Sequence, residues 1–187
     1  MGPAIAAFVL LIVVVLLVGA VVVMYNRLVR LRNITEEAWA GIDVQLVRRH
    51  DLIPNLVETV KGYASHERET LEAVVQARSR AVEATGVREQ AQAENMLTQA
   101  LGRLFALAES YPELQADQNF RELQAELTRT EDILARARQD YNGAVRAYDT
   151  AREVFPTNLV AGAFNFQERE YFEVDDPEHR DPVRVQF

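Results

Sequence analysis

Between Ala4 and Met24 the chain reads AIAAFVLLIVVVLLVGAVVVM, with no charged or polar side chain. As a helix at about 1.5 Å per residue, these roughly 21 residues extend about 31 Å, which matches the hydrocarbon core of a bilayer. The roughly 15 Val, Leu, Ile and Phe residues each favour insertion by about 0.3–0.6 kcal/mol, and no central charge opposes them. The run is therefore expected to span a membrane. A cleaved secretory signal fits less well, because no basic residue precedes the run, which is too long and continues past its small pair Gly19-Ala20. Arg27, Arg30 and Arg32 follow the span, which predicts an N-terminus outside and a cytoplasmic body.

The remainder is long enough for one domain with its own core. All 28 acidic and 20 basic residues lie there, for a net charge of −8. An acidic surface without a basic stripe argues against nucleic acid as a partner. With no cysteine, the body has no disulfide framework, thiol nucleophile or Cys-based metal site, which fits a reducing compartment.

Downstream of Arg27 the rhythm stays helical. Leu28, Leu31, Ala38, Trp39, Ile42, Leu46 and Ile53 recur at three- and four-residue steps, and no Gly, Pro or polar linker separates them from the span. The membrane helix is expected to run straight into the first soluble helix. Pro54 interrupts the pattern between apolar neighbours, which reads as a kink. Lys61-Gly62-Tyr63-Ala64-Ser65-His66-Glu67 is a better stop, with a basic last turn, Gly62 for a left-handed cap and Ser65 as the next N-cap. The first hairpin is placed there, with a break at Pro54 as the competing choice.

Further helices are predicted over about 66–84 and 88–109. In the last long one, Phe120, Leu123, Leu127, Thr130, Leu134, Ala137, Tyr141, Ala144, Tyr148, Ala151 and Phe155 keep an alternating three-four spacing up to Pro156. The expected fold is all-α: an N-terminal transmembrane helix continuing into an up-and-down antiparallel four-helix bundle, with an irregular C-terminal tail. The domains would be an anchor over 1–26, the bundle over 27–156, and a tail over 157–187 packing on the bundle or the membrane surface. Phe164, Phe166, Tyr171 and Phe172 would serve the tail as a strap over the bundle end or as headgroup-level aromatics. Tyr25-Asn26-x-x-Val29-Arg30 is echoed by Tyr141-Asn142-x-x-Val145-Arg146, too short a match to claim a repeat.

Chemistry-bearing patterns are sparse. There is no Gly-rich phosphate loop, no Gly-x-Ser-x-Gly and no His-Glu-x-x-His. A di-metal bundle site needs Glu-x-x-His, which does not occur. The three histidines, His50, His66 and His179, read as polar groups at helix ends. No catalytic residue, cofactor or metal is assigned, and an enzyme is not expected. The residues singled out for interaction are Arg49, His50, Asp51, Asn55, His66, Glu67, Tyr141 and Asn142. Most of them lie around the Pro54 irregularity, where a bundle edge can be read by another protein.

The early segment also carries a resemblance. Tyr25-Asn26-Arg27-Leu28-Val29, Glu37-Ala38-Trp39-Ala40-x-Ile42-Asp43-Val44-Gln45-Leu46, Arg48-Arg49-His50-Asp51-Leu52-Ile53-Pro54-Asn55-Leu56-Val57 and Gly62-Tyr63-x-x-His66-Glu67 closely resemble the bacterial LemA family, and Glu109-x-Tyr111-Pro112 and Phe155-Pro156-x-Asn158 continue the match. The resemblance implies a single-span inner-membrane protein with a cytoplasmic helical bundle and no known enzymatic activity. It also implies two roles. The magnetosome-associated relative MamQ points to a self-associating scaffold that organises or remodels the membrane, with the lipid bilayer and further copies of itself as partners. A link with the membrane protease HtpX points to an adaptor or regulator of such a protease or of another membrane protein.

Overall fold

The computed structural model describes residues 2–173. Among them the chain is helical, without a strand: α1 (Pro3–Tyr63), α2 (Arg68–Glu83), α3 (Val87–Ala108), α4 (Pro112–Ala116), α5 (Gln118–Glu153) and α6 (Thr157–Ala163). The polar stretch Asp175 to Pro182, with His179, lies outside the described residues.

The expected continuity out of the apolar run is present, since α1 is one helix of 61 residues. Side chains from Ile5 to Val23 are exposed, and Leu28 is the first to be fully buried. The apolar part is long and apolar enough to cross a membrane, and none of it is buried in the protein.

Of the two candidate breaks, the chain uses the second. Pro54 lies inside α1. Proline has no N–H to give to the carbonyl of His50 one turn earlier. That carbonyl instead accepts a bond from Arg78 Nε of α2 at 2.7 Å, so the gap in the ladder is filled from a neighbouring helix. α1 ends at Tyr63, and the turn is held by Ala64 N–H to Val60 O (2.8 Å) and Glu67 N–H to Ala64 O (3.1 Å). Two details of the expected cap are different. Gly62 does not take a positive φ, because the chain leaves the helix through Ala64. Ser65 does not cap α2; Glu67 holds the N-cap position, without a side-chain cap bond.

The chain divides into two compact units. One consists of the chain up to Ala40 together with Gln139–Arg169. Its core is Leu28 of α1, Tyr148 and Ala151 of α5, Val160 and Ala161 of α6, and Phe166, with Met24, Val29 and Leu31 packed against them. Within this unit Trp39 packs against Tyr141, with ring centroids 5.5 Å apart and planes tilted by 60°. With Leu28 beside Tyr148, this pairing makes the end of α5 antiparallel to the start of the soluble part of α1. The beginning of the expected irregular tail is the helix α6, because burying Thr157, Val160 and Ala161 orders it.

The other unit consists of Gly41–Arg138 together with, among the described residues, 170–173. Its core takes Ile53, Leu56, Val57 and Val60 from α1, Leu71, Val74, Ala77 and Ala81 from α2, Ala93, Leu97, Ala100, Leu101, Leu104 and Ala108 from α3, Leu114 from α4, and Phe120 and Leu127 from α5. The three-four spacing on each helix supplies these contacts. The large row of the α5 seam is buried at Phe120, Leu127, Leu134, Tyr141 and Tyr148. Phe155 is the exception at 79 % exposed, because α5 ends at Glu153 and the seam ends with it.

Candidate functional site

The polar groups that stand out are inside the second unit. Arg49 and His50 are consecutive on α1, and both are buried. Consecutive positions leave a helix about 100° apart, yet both side chains reach the same carboxylate, Glu94 of α3. Arg49 Nη1 donates to Glu94 Oε2 at 2.9 Å, and His50 Nε2 lies 2.7 Å from Glu94 Oε1. Gln90, one turn before Glu94, donates to Oε1 at 3.1 Å and to the carbonyl of Ala81 at 3.0 Å. Glu94 is 0 % exposed, so these bonds replace all of its hydration.

The network continues on the other side of Arg49. Its Nη2 donates to Thr98 Oγ1 at 2.8 Å and lies 3.2 Å from Glu131 Oε2 of α5. Arg138, two turns further along α5, is 3.3 Å from Glu131 Oε1. Its guanidinium carbon stands 5.1 Å from the centre of the Phe172 ring. Burial draws the Arg138 pKa below its ordinary value, opposed by the charge of Glu131, although an arginine remains charged throughout. Two guanidiniums thus face two carboxylates, with His50 at the edge. A carboxylate paired with an arginine only accepts, so His50 carries hydrogen on Nε2.

Both oxygens of Glu94 are occupied, and among the described residues no group of His, Asp and Glu is placed to hold a metal ion. A shallow groove of 280 Å³ exposes the edge of the network, with Asp43, Val47, Asp51, Arg78, Val82 and Gln90 in its wall and His50 at its floor. Replacing one member of such a network leaves a buried partner unpaired, so the set selects one register of α1 against α3 and α5.

The residues proposed from sequence therefore separate. Arg49 and His50 meet through Glu94. His50 lies in the interior of α1 and not at a helix end. Asp51 and Asn55 are exposed on α1. His66 is exposed in the turn before α2, and Glu67 accepts a 3.0 Å bond from the Tyr111 hydroxyl. Tyr141 is buried against Trp39, and Asn142 is half-buried beside it. The sequence reading missed Glu94, Gln90, Thr98, Glu131, Arg138 and Arg78. A signal was present for two of them: Gln90, Glu94, Leu97, Leu101, Leu104 and Ala108 follow the three-four rhythm, so polar residues occupy core positions of α3.

The chain is 26 % identical over 199 residues to magnetosome protein MamQ 2 of Paramagnetospirillum magneticum, covering 92 % of this chain and 73 % of that protein. It is 25 % identical over 174 residues to magnetosome protein MamQ of Magnetospirillum gryphiswaldense, covering 79 % and 64 %. To protein LemA of Metamycoplasma hominis it is 25 % identical over 160 residues, covering 83 % and 72 %. The LemA family profile matches residues 38–187, a stretch that begins beside Trp39, contains the whole Arg49–His50–Glu94 network and carries nothing of the apolar run, and on this match the chain belongs to the LemA family.

Proposed function

We propose that this protein is a non-enzymatic scaffold, anchored in the bacterial inner membrane by α1, that self-associates and organises or remodels that membrane. The observation that carries the reading is the single helix Pro3–Tyr63, which couples an apolar span to a packed helical body without a flexible joint. Around it, α1, α2, α3 and α5 form an up-and-down antiparallel bundle on the cytoplasmic side, with the N-terminus outside. The similarity to proteins named for magnetosomes supports a role at a membrane. The span has no strong small-residue face beyond Gly2 and Ala6, so self-association falls to the helical body. Mass photometry of the full-length protein in nanodiscs should show assemblies larger than one chain; a monomer at every accessible concentration would remove the mechanism.

One observation favours a second reading, an adaptor for a membrane protease or another membrane protein. Beside the α1–α2 turn, Val57, Lys61, Ser65, Arg68, Leu71 and Val75 line an open groove of 640 Å³. Arg49 is buried, so a photo-crosslinker belongs at exposed His66. Adducts only with copies of itself support the scaffold, and a reproducible adduct with a membrane protease supports the adaptor.

A further inference from the structure

We infer that the end of α5 and the helix α6 form a second membrane contact, an apolar foot seated in the headgroup region of the same bilayer that α1 crosses. The inference rests on the reading of α1 as a membrane span and adds a surface to it. All of the residues involved belong to one compact unit.

The first observation is exposure. Phe155 is 79 % exposed, Leu159 64 %, Phe164 55 % and Val154 44 %. They cluster within a short stretch, while Thr157, Val160 and Ala161 of α6 are buried, the last two in one core with Leu28, Tyr148 and Ala151. One apolar face thus makes the core, and among the described residues Val154, Phe155 and Leu159 stay exposed on the other side.

The second observation is level. Tyr25, immediately after the apolar run, meets Phe164 edge-on with ring centroids 4.9 Å apart and Phe166 at 5.5 Å. Leu28 shares a core with Tyr148, and Met24 packs against it. From Tyr148 to its end at Glu153, α5 advances about 7.5 Å toward the start of α1. The same rise taken back from Leu28 reaches about Val23 on α1. Phe155 and α6 therefore stand level with the end of the span, at the depth where aromatic residues collect at a bilayer surface.

The third observation is where the charges go. Glu153 and Glu168 would be unwelcome at this depth, but Arg152 Nη2 lies 3.3 Å from Glu153 and 3.6 Å from Glu168, and its Nε lies 3.4 Å from Asp149. These carboxylates are gathered about one guanidinium. The Arg32 guanidinium stands 5.8 Å over the Phe166 ring, and Arg27 and Arg30 are exposed beside Tyr25, where they can meet lipid phosphates. An amphipathic surface with apolar residues on one side and cations at its edge binds the boundary between headgroups and acyl chains.

The test uses full-length protein in which Trp39→Phe removes the single native tryptophan. One tryptophan is then introduced at a time, at Leu159, Phe155, Gly143 or Val14, and each variant is reconstituted into phosphatidylcholine–phosphatidylglycerol vesicles. The lipids carry bromine near either the carbonyl end or the methyl end of the acyl chain. Exposed Leu159 and Phe155 accept the larger ring, and nothing lies within 4 Å of a Cβ built at Gly143, which is itself exposed. Leu159→Trp and Phe155→Trp should lose about half of their emission to the shallow bromines and less to the deep ones. Gly143→Trp, about 15 Å back along α5 from Glu153, should be unaffected, and Val14→Trp should be quenched by the deep bromines. Quenching at Val14 with none at Leu159 and Phe155 overturns the foot and leaves the span standing. Absence of quenching at all positions overturns both. A blue-shifted but unquenched Leu159→Trp means that a second copy covers this face, which also overturns the foot.

Discussion

The carbonyl of His50 shows how one side chain can decide the path of a helix. Pro54 frees it, and Arg78 Nε takes it at 2.7 Å. Arg78→Ala leaves a partly buried acceptor without a partner and should cost about 1–3 kcal/mol in thermal unfolding of the detergent-solubilised protein. Glu94 has a larger effect. In Glu94→Ala, Arg49 stays buried without its closest counter-charge, and the loss should be about 3–5 kcal/mol, whereas Arg49→Met combined with Glu94→Met should cost less than the two single changes added together. Two other carboxylates are shifted, in opposite directions. The N–H of Phe120, with help from the Tyr63 hydroxyl, holds the Asp117 pKa below its ordinary value. A carboxylate lowered in the folded state stabilises above its unfolded pKa, and the contribution is lost as pH falls through the folded value. Burial raises the Asp149 pKa, so its contribution has the opposite sign and is lost as pH rises. Asp117→Ala should flatten the acid limb of stability against pH, and Asp149→Asn should raise stability at neutral pH relative to acid pH. Melting curves across the carboxylate range check both signs.

At the scale of elements, periodicity was a good guide to where helices form and a poor guide to how they are capped. The expected helices over about 66–84 and 88–109 correspond to α2 and α3 within a residue or two. Their caps depend on backbone geometry that composition does not reveal. Gly86, and not Gly62, is the glycine with a left-handed requirement: φ is 82° and ψ 167° at the N-cap of α3, a region nearly closed to other residues. Just before it, the N–H and hydroxyl of Thr85 both donate to Glu89 Oε2, at 3.0 and 3.1 Å, which closes the first turn. Gly86→Ala should therefore destabilise by about 1–3 kcal/mol. Gly62→Ala, in a helical turn with open space around it, should stabilise by roughly 0.5–1 kcal/mol. Chemical denaturation of the two variants side by side distinguishes the assignments. The seven residues of α6 were not legible as a helix, because a segment that short is stable only through the core it joins.

At the scale of the whole molecule, α1 is the component that any membrane role must use. If its continuity matters to function, a flexible glycine linker inserted after Asn26 should leave membrane insertion intact while the assemblies expected in nanodiscs change size or disperse. Unchanged assembly, measured by mass photometry, would mean that tethering alone is enough. The sequence by itself determined the apolar span, the all-helical class and the family, because these depend on hydropathy, on three-four spacing and on contiguous residue matches, all of which are local in the chain. The tertiary structure alone decided between the favoured path of α1 through Pro54 and the competing break there, and it alone decided that Arg49 and His50 converge on Glu94 and that the start of the tail is helical. Each of these needs a partner from a distant part of the chain: Arg78 for the freed carbonyl, a carboxylate of α3 for the buried cation, and Leu28 with Tyr148 for α6. A burial cost becomes a stable arrangement only when such partners are brought within hydrogen-bonding or packing distance, and one-dimensional spacing does not encode that distance.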